Sequence, residues 1–301
     1  MPPRNVLIFH SGALGDFVLA WPLVLGVARV MPQCRTVVVT AGDKGKLAER
    51  VLRVESSDAE SGWQKLFADG ALPEKPAKLL GGARLVLSFV ADFGSPWEKN
   101  LSRLAPDAEV HHLEPRPTRD GIWAVDFLLE QLEDEPVVHS AAAGMVASIR
   151  RSGLLPRAHD PAGPIVVHPG SGSAKKNWPA EQWAKWMADA GKPVRLVLGE
   201  VEREKFTAKQ RGALVEAAAE VREPQDLPSL LDALTGTSAY LGHDSGPTHL
   251  AAIIGLPTLA LFGPTDPAVW APLGPRVGCV RAEPLSDLPA SAVTEAFANL
   301  P

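Results

Sequence analysis

The sequence predicts an α/β protein built from two Rossmann-like, doubly wound domains, residues 1–158 and 159–301. Three observations carry that expectation. At 301 residues the chain is long enough for two cores of ordinary size. Short apolar runs alternate with amphipathic stretches along its whole length, the pattern of a parallel sheet covered by helices on both faces. The alternation also restarts after "LLPRAHDPAGP" at 154–164, a polar, Pro-rich segment of the kind that joins domains.

The first domain opens with "NVLIFH" at 5–10, a strand ending in glycine punctuation, and "DFVLAWPLVLGVARVM" reads as a buried helix from residue 17. "RTVVVT" at 35–40 and "ARLVLSF" at 83–89 are β-branched or apolar strands, while "DKGKLAERVL", "SPWEKNLSRL" and "DGIWAVDFLLEQL" read as helices. In the second domain "PIVVHPG", "VRLVLG", "AYLGHD" and "PTLALFG" are strands. "PAEQWAKWMADAG" is a helix opened by Pro179 and stopped by Gly191, and "LPSLLDALTG", "GPTHLAAIIG" and the final "LPASAVTEAFANLP" are further helices. In such sheets ligands bind at the carboxyl ends of the strands, so the chemistry is expected there, in the cleft where the halves face one another.

Composition narrows the function. A net charge of −5 argues against a nucleic-acid binder, and 46% apolar with 22% charged residues is ordinary for a globular protein. The apolar run in "MPPRNVLIFH" is too short for an export signal, and "HLAAIIGLPTLALF" at 249–262 is broken by Gly255 and Pro257 before it could span a bilayer, so no transmembrane segment and a cytoplasmic location are expected. Cys34 and Cys279 lack metal-ligand spacing and read as reduced thiols.

Two clusters in the second domain carry chemistry. In "GHDSGPTHLAAIIG" a strand ends at Asp244, Ser245 and Gly246 turn the chain, and Pro247 opens a helix. Its free N–H groups, with the Thr248 hydroxyl, suit an anion such as a diphosphate; Asp244 and Ser245 serve equally as helix caps. "HPGSGSAKKNWP" at 168–179 offers Lys175 and Lys176 after a flexible Gly/Ser run, as phosphate cations or as a solvated pair. In the first domain, Gly12 and Gly15 of "HSGALGD" give a tight turn that brings Asp16 to a strand end, either as a general base or as the N-cap of the following helix.

Together, "GALGDFVLAWPL", "HPGSGSAKKNWPAEQW" and "DSGPTHLAAIIGLPTLALFGPTDPAVWAP" resemble the ADP-heptose:lipopolysaccharide heptosyltransferases, glycosyltransferase family 9. The resemblance implies the GT-B fold and inverting, metal-independent transfer of a sugar from a nucleotide diphosphate, ADP-heptose, to a hydroxyl of a glycan or glycolipid acceptor at the inner membrane face. It implies no cofactor and no metal. It makes Asp16 the catalytic base on an acceptor loop with Gly12 and Gly15, and Lys176 a diphosphate contact. Asp244, Ser245, Gly246, Pro247, Thr248 and His249 fall on the family's phosphate loop, and Glu200 and Glu202 lie where it holds the nucleoside. Beyond Asp16 the first domain departs from the pattern, with "FVADFGSPWEKNL" after its fourth strand. Lys44, Lys46, Arg84, Lys99 and Arg103 are candidates to meet an anionic acceptor but read first as surface charges, and Trp97 and Trp123 read as packed aromatics before sugar platforms.

Two other readings stay open. A sugar-nucleotide 2-epimerase would need acid/base groups, for which His10, His168, His243 and His249 are candidates, and a catalytically silent nucleotide-sugar-binding module would need none.

Overall fold

The computed structural model describes residues 4–68, 71–173 and 176–301. The chain divides into two compact units, 1–118 with 125–146, and 119–124 with 147–301.

The first unit is a parallel sheet of β1 (Asn5–Phe9), β2 (Arg35–Thr40), β3 (Glu55–Asp58), β4 (Ala83–Ser88) and β5 (Glu109–His112), in the order β3-β2-β1-β4-β5. Strand β1 is buried along its whole length, as its continuous apolar run requires of a strand covered on both faces. Phe9 meets Trp63 and Trp97 edge-on, both ring centroids at 5.0 Å, so Trp97 belongs to the core. The edge strands "ESSD" and "EVHH" are polar because only one side of each is paired, and they carried no strand signal in the sequence.

The long helix expected after β1 is two helices, α1 (Leu14–Leu19) and α2 (Trp21–Val30), which meet at Ala20. Pro22 explains the break: it has no N–H for the carbonyl four residues back, so it sits in the first turn of a new helix. The remaining helices of this unit are α3 (Lys44–Leu52), α4 (Glu74–Gly81), α5 (Pro96–Leu104), α6 (Ala124–Glu130) and most of α7 (Pro136–Ser152).

The second unit is also wholly parallel: β6 (Ile165–His168), β7 (Val194–Val197), β8 (Glu220–Arg222), β9 (Ala239–His243), β10 (Thr258–Phe262) and β11 (Val277–Arg281), ordered β11-β10-β9-β6-β7-β8. Helices α8 (Ala180–Ala188), α9 (Glu200–Lys205), α10 (Ala208–Ala217), α11 (Leu227–Leu234), α12 (Gly246–Ile254), α13 (Pro267–Trp270) and α14 (Ala290–Ala298) complete it. Trp178, Trp183 and Trp186 anchor its core.

The units part inside α7, between Val146 and Ala147, upstream of the expected 158/159 boundary. The end of α7 leads straight into bonds with the end of α12: Leu154 N donates to Ile253 O at 2.8 Å and Leu155 N to Ile254 O at 3.1 Å. Residues 119–124 are held to the same unit by Trp123. Its Nε1 donates to Ala271 O at 2.8 Å, and the Arg150 guanidinium lies 4.6 Å over its ring.

Candidate active site

In the second unit the chain steps outward from β6 through β7 to β8, then returns to β9 and steps the other way. The reversal between β6 and β9 is a topological switch point, where a crevice opens at the carboxyl ends. Both clusters singled out in the sequence leave the sheet there, one after His168 and one after His243.

Asp244 continues β9 by one bond, its N–H reaching Leu261 O at 3.0 Å. Its carboxylate, 8% exposed, gathers three segments. Oδ2 accepts from Lys176 Nζ at 2.6 Å and from Thr265 Oγ1 at 2.7 Å, and Oδ1 lies 3.6 Å from His249 Nε2. Burial opposes its ionisation, but His249, Lys176 and Thr265 outweigh that and hold its pKa down at about 2. Asp244 therefore fixes the lysine rather than offering a second charge to an anion. Lys175 lies outside the described residues.

Ser245 is the N-cap of α12 in extended conformation, and its side chain makes no cap bond. Its carbonyl accepts from Thr248 N at 3.1 Å and His249 N at 3.2 Å. Pro247 has no N–H, so the Gly246 N–H is the group left open at the positive end of the helix, while the Ser245 hydroxyl bonds with that of Thr248 at 3.2 Å. The Thr248 hydroxyl turns inward instead: it donates to His243 O and lies 3.2 Å from both Tyr240 Oη and Ser245 Oγ. His249 is buried against Asp244. Of the six residues of this loop, Gly246 thus keeps a backbone N–H open, with Asp244, Ser245, Thr248 and His249 engaged around it.

The loop that carries Lys176 is tied down from below. His243 Nε2 accepts the Trp178 N–H at 2.7 Å, and the Trp178 indole donates to Leu288 O at 2.8 Å. Burial pushes the His243 pKa down to about 3, which keeps that nitrogen's lone pair free to accept. Glu202 is 3% exposed; its Oε2 accepts from Gly199 N at 2.6 Å and lies 3.8 Å from His168 Nε2. A Cβ at residue 170 would fall 1.5 Å from Glu202 Oε1, so this carboxylate occupies the space that Gly170 leaves. Glu200, at the start of α9, is exposed, in contrast to Glu202.

In the first unit the switch point lies between β1 and β4. Asp16 stands there in the first turn of α1, whose N-cap is Ala13, so Asp16 is not the cap. Its side chain is 11% exposed and its Oδ2 lies 3.2 Å from Arg116 Nη2, a partner that no local sequence signal announced because it is 100 residues away. Gly12 passes close beneath: a Cβ there would lie 3.2 Å from Asp16 Oδ2 and 2.8 Å from His10 Cε1. Lys44 Nζ donates to Gly12 O at 2.7 Å. Its pKa is lowered by burial against the opposing pull of Asp16. Of the other basic candidates, Lys46 and Arg84 pair with Asp43 and Asp107, and Arg103 leans on Asn100.

The sequence pattern of glycosyltransferase family 9 (heptosyltransferase) matches residues 129–300, more than half of the chain. The chain belongs to glycosyltransferase family 9. Within that family it is 34% identical over 119 residues to lipopolysaccharide heptosyltransferase 1 of Pseudomonas aeruginosa, a match covering 38% of this chain and 33% of that one. It is 31% identical over 130 residues to the Escherichia coli K12 protein of the same name, covering 42% and 40%. The chain therefore spans two fifths or less of the length of these curated relatives. Among solved structures, the family 9 glycosyltransferase of Veillonella parvula superposes with a TM-score of 0.71 at 16% identity, covering 98% of this chain and 96% of that one. The E. coli heptosyltransferase WaaC with ADP gives 0.69 at 21% identity, covering 97% and 98%. These likenesses are of fold, and they make this member of family 9 a GT-B protein with two parallel α/β units.

Proposed function

We infer that the chain is an inverting, metal-independent glycosyltransferase that moves heptose from ADP-heptose to a glycan hydroxyl in lipopolysaccharide core synthesis. The observation that carries this is Lys176, held by Asp244 beside the open start of α12 at a switch point. A fixed cation next to a helix N-terminus suits a leaving diphosphate.

In this reading Asp16 takes the proton of the acceptor hydroxyl. The hydroxyl oxygen bonds to the anomeric carbon from the face opposite the diphosphate, the bond from that carbon to the diphosphate oxygen breaks, and the electron pair leaves with ADP. Lys176, the Gly246 N–H and the α12 dipole receive the departing charge, so no metal or other cofactor is required. The acceptor would be a glycolipid met at the inner face of the cytoplasmic membrane; no described helix is long and apolar enough to cross one.

Three of the histidines that an epimerase would use as proton donors are unsuited to it. Burial lowers the pKa of His168 and carries His10 and His243 down to about 3, so all three are neutral near pH 7.

The test is a thermal shift with nucleotide diphosphates, followed by product analysis. ADP at 100 times its Kd should stabilise the chain by about 2.7 kcal/mol. ADP-heptose with a lipopolysaccharide-core glycolipid should yield ADP and a glycoside of inverted configuration, undiminished by a chelator. An epimerised sugar nucleotide, retained configuration or loss of transfer on chelation would overturn the reading.

A further inference from the structure

A cavity of about 540 Å³ opens at the carboxyl ends of β4 and β5, lined by Phe89, Asp92, Phe93, His112, Glu114 and neighbouring backbone. It adjoins the Asp16 loop on two sides within the first unit. Phe89, in its wall, packs on His10 at 5.1 Å between centroids, and Pro115, in its rim, directly precedes the Arg116 that binds Asp16. Phe9, Ser88 and His112 are register partners across β1, β4 and β5, so its floor lies about 10 Å, two strand spacings, from the end of β1.

The rim is held firmly by its backbone, and the Asp92, Phe93 and Glu114 side chains on it are exposed. His112 Nδ1 lies against Ala91 O, the Glu98 carboxylate takes the Gly94 N–H, and Gln131 exchanges two bonds with the Glu114 backbone, at 2.7 and 3.1 Å. Phe93, on this pinned loop, is 85% exposed. The Asp92 and Glu114 carboxylates have no hydrogen-bond or ion-pair partner among the described residues, and no Lys or Arg lines the cavity. Asp92 and Phe93 also lie outside residues 129–300, the part of the chain that matches the family pattern.

We propose that this cavity is the acceptor subsite and takes a sugar ring bearing no negative charge. Phe93 meets the C–H face of the ring, and the Asp92 and Glu114 carboxylates accept hydrogen bonds from its hydroxyls. The same two carboxylates repel a sugar acid or a sugar phosphate, a discrimination built from a repulsive element as much as an attractive one. The proposal rests on the glycosyltransferase reading and names the chemistry of its acceptor.

Saturation-transfer NMR on the full chain tests it with methyl β-D-glucopyranoside, glucuronic acid and glucose 6-phosphate as probes. The neutral glycoside should bind, with saturation strongest on its ring protons. Phe93→Ala should weaken it roughly two- to tenfold without touching the core. The two charged sugars should bind roughly five- to tenfold more weakly, and the Asp92→Asn/Glu114→Gln double variant should erase that difference. Equal binding of neutral and charged sugars, or an unchanged Phe93→Ala, overturns the proposal. ADP thermal shifts run alongside separate the two readings: ADP binding without glycoside binding sinks this inference alone, whereas a wild-type chain that ignores ADP sinks the transferase reading itself.

Discussion

Each unit sets one carboxylate at the carboxyl end of its central strands, and the two are held very differently. Asp244 is gripped by Lys176, Thr265 and His249, from three separate segments. Asp16 meets Arg116, whose side chain is 65% exposed. A charge wrapped by fixed partners cannot easily exchange them for substrate, whereas Asp16, itself 11% exposed, has a partner that stands mostly in water, where such contacts are weak. Position at a switch point therefore does not assign a role. The partners distinguish them: Asp244 anchors a cation, and Asp16 keeps one looser ion pair.

The sharpest way to break this contrast is Asp16→Asn. With Ala13 as the cap of α1, the substitution removes a proton acceptor and no helix cap. Transfer should fall by about 100-fold or more, with melting temperature and ADP affinity nearly unchanged. Near-normal transfer would return Asp16 to an ordinary surface acid.

Lys176→Ala probes the other side. It removes a cation from the leaving group and leaves Asp244 without its closest partner, so ADP affinity and turnover should drop together, by about 1.5–3 kcal/mol or one to two decades. Calorimetry showing full ADP affinity would mean that the lysine serves only Asp244.

Acid should act on both units alike. His10 and His243 have folded pKa values of about 3, well below 6.5 in the unfolded chain, so the unfolded state takes up protons first. Their stabilising contribution is whole above pH 6.5 and is lost as the pH falls toward 3. Between pH 7 and 5 each histidine should cost about 2 kcal/mol. Denaturant melts across that range check it, and a flat profile would show that these rings gain partners on acidification.

The smallest effect belongs to Arg116→Gln. Losing an exposed pair should change stability by no more than about 1 kcal/mol and shift the pH profile of transfer only slightly. A collapse of transfer as deep as that of Asp16→Asn would make Arg116 part of the substrate site.

The same contrast explains what could be read from the sequence. Strands β1, β2, β4, β6, β9 and β10 are buried on both faces, so their apolar runs announced them, and the Gly, Ser and Pro residues that end them announced the loops. The edge strands "ESSD", "EVHH" and "EVR" bury only one residue fully among them, so they carried no strand signal. Helix α7, whose Ala142, Val146 and Ile149 form the buried stripe, is rich in small residues and follows a Pro-bounded turn, and no element was assigned to it. At the site, local motifs located Asp16, Lys176 and the start of α12, but they could not foresee that Thr248 would turn inward. Nor could they reveal that Thr265 and Arg116 come to the two carboxylates from 21 and 100 residues away.

The bond from the Trp178 N–H to His243 Nε2 makes a solvent proton a rival of the protein's own backbone. Both seek one lone pair, and only one can have it. With the amide in place, the chain around Lys176 is tethered to the sheet; a proton on that nitrogen evicts the amide and turns an acceptor into a donor facing a donor. Acid thus competes for the tether of the Lys176 loop, two residues away in the chain, yet the folded ring holds out to about pH 3 while the unfolded chain takes up protons from 6.5 down, so the fold loosens before the tether is cut.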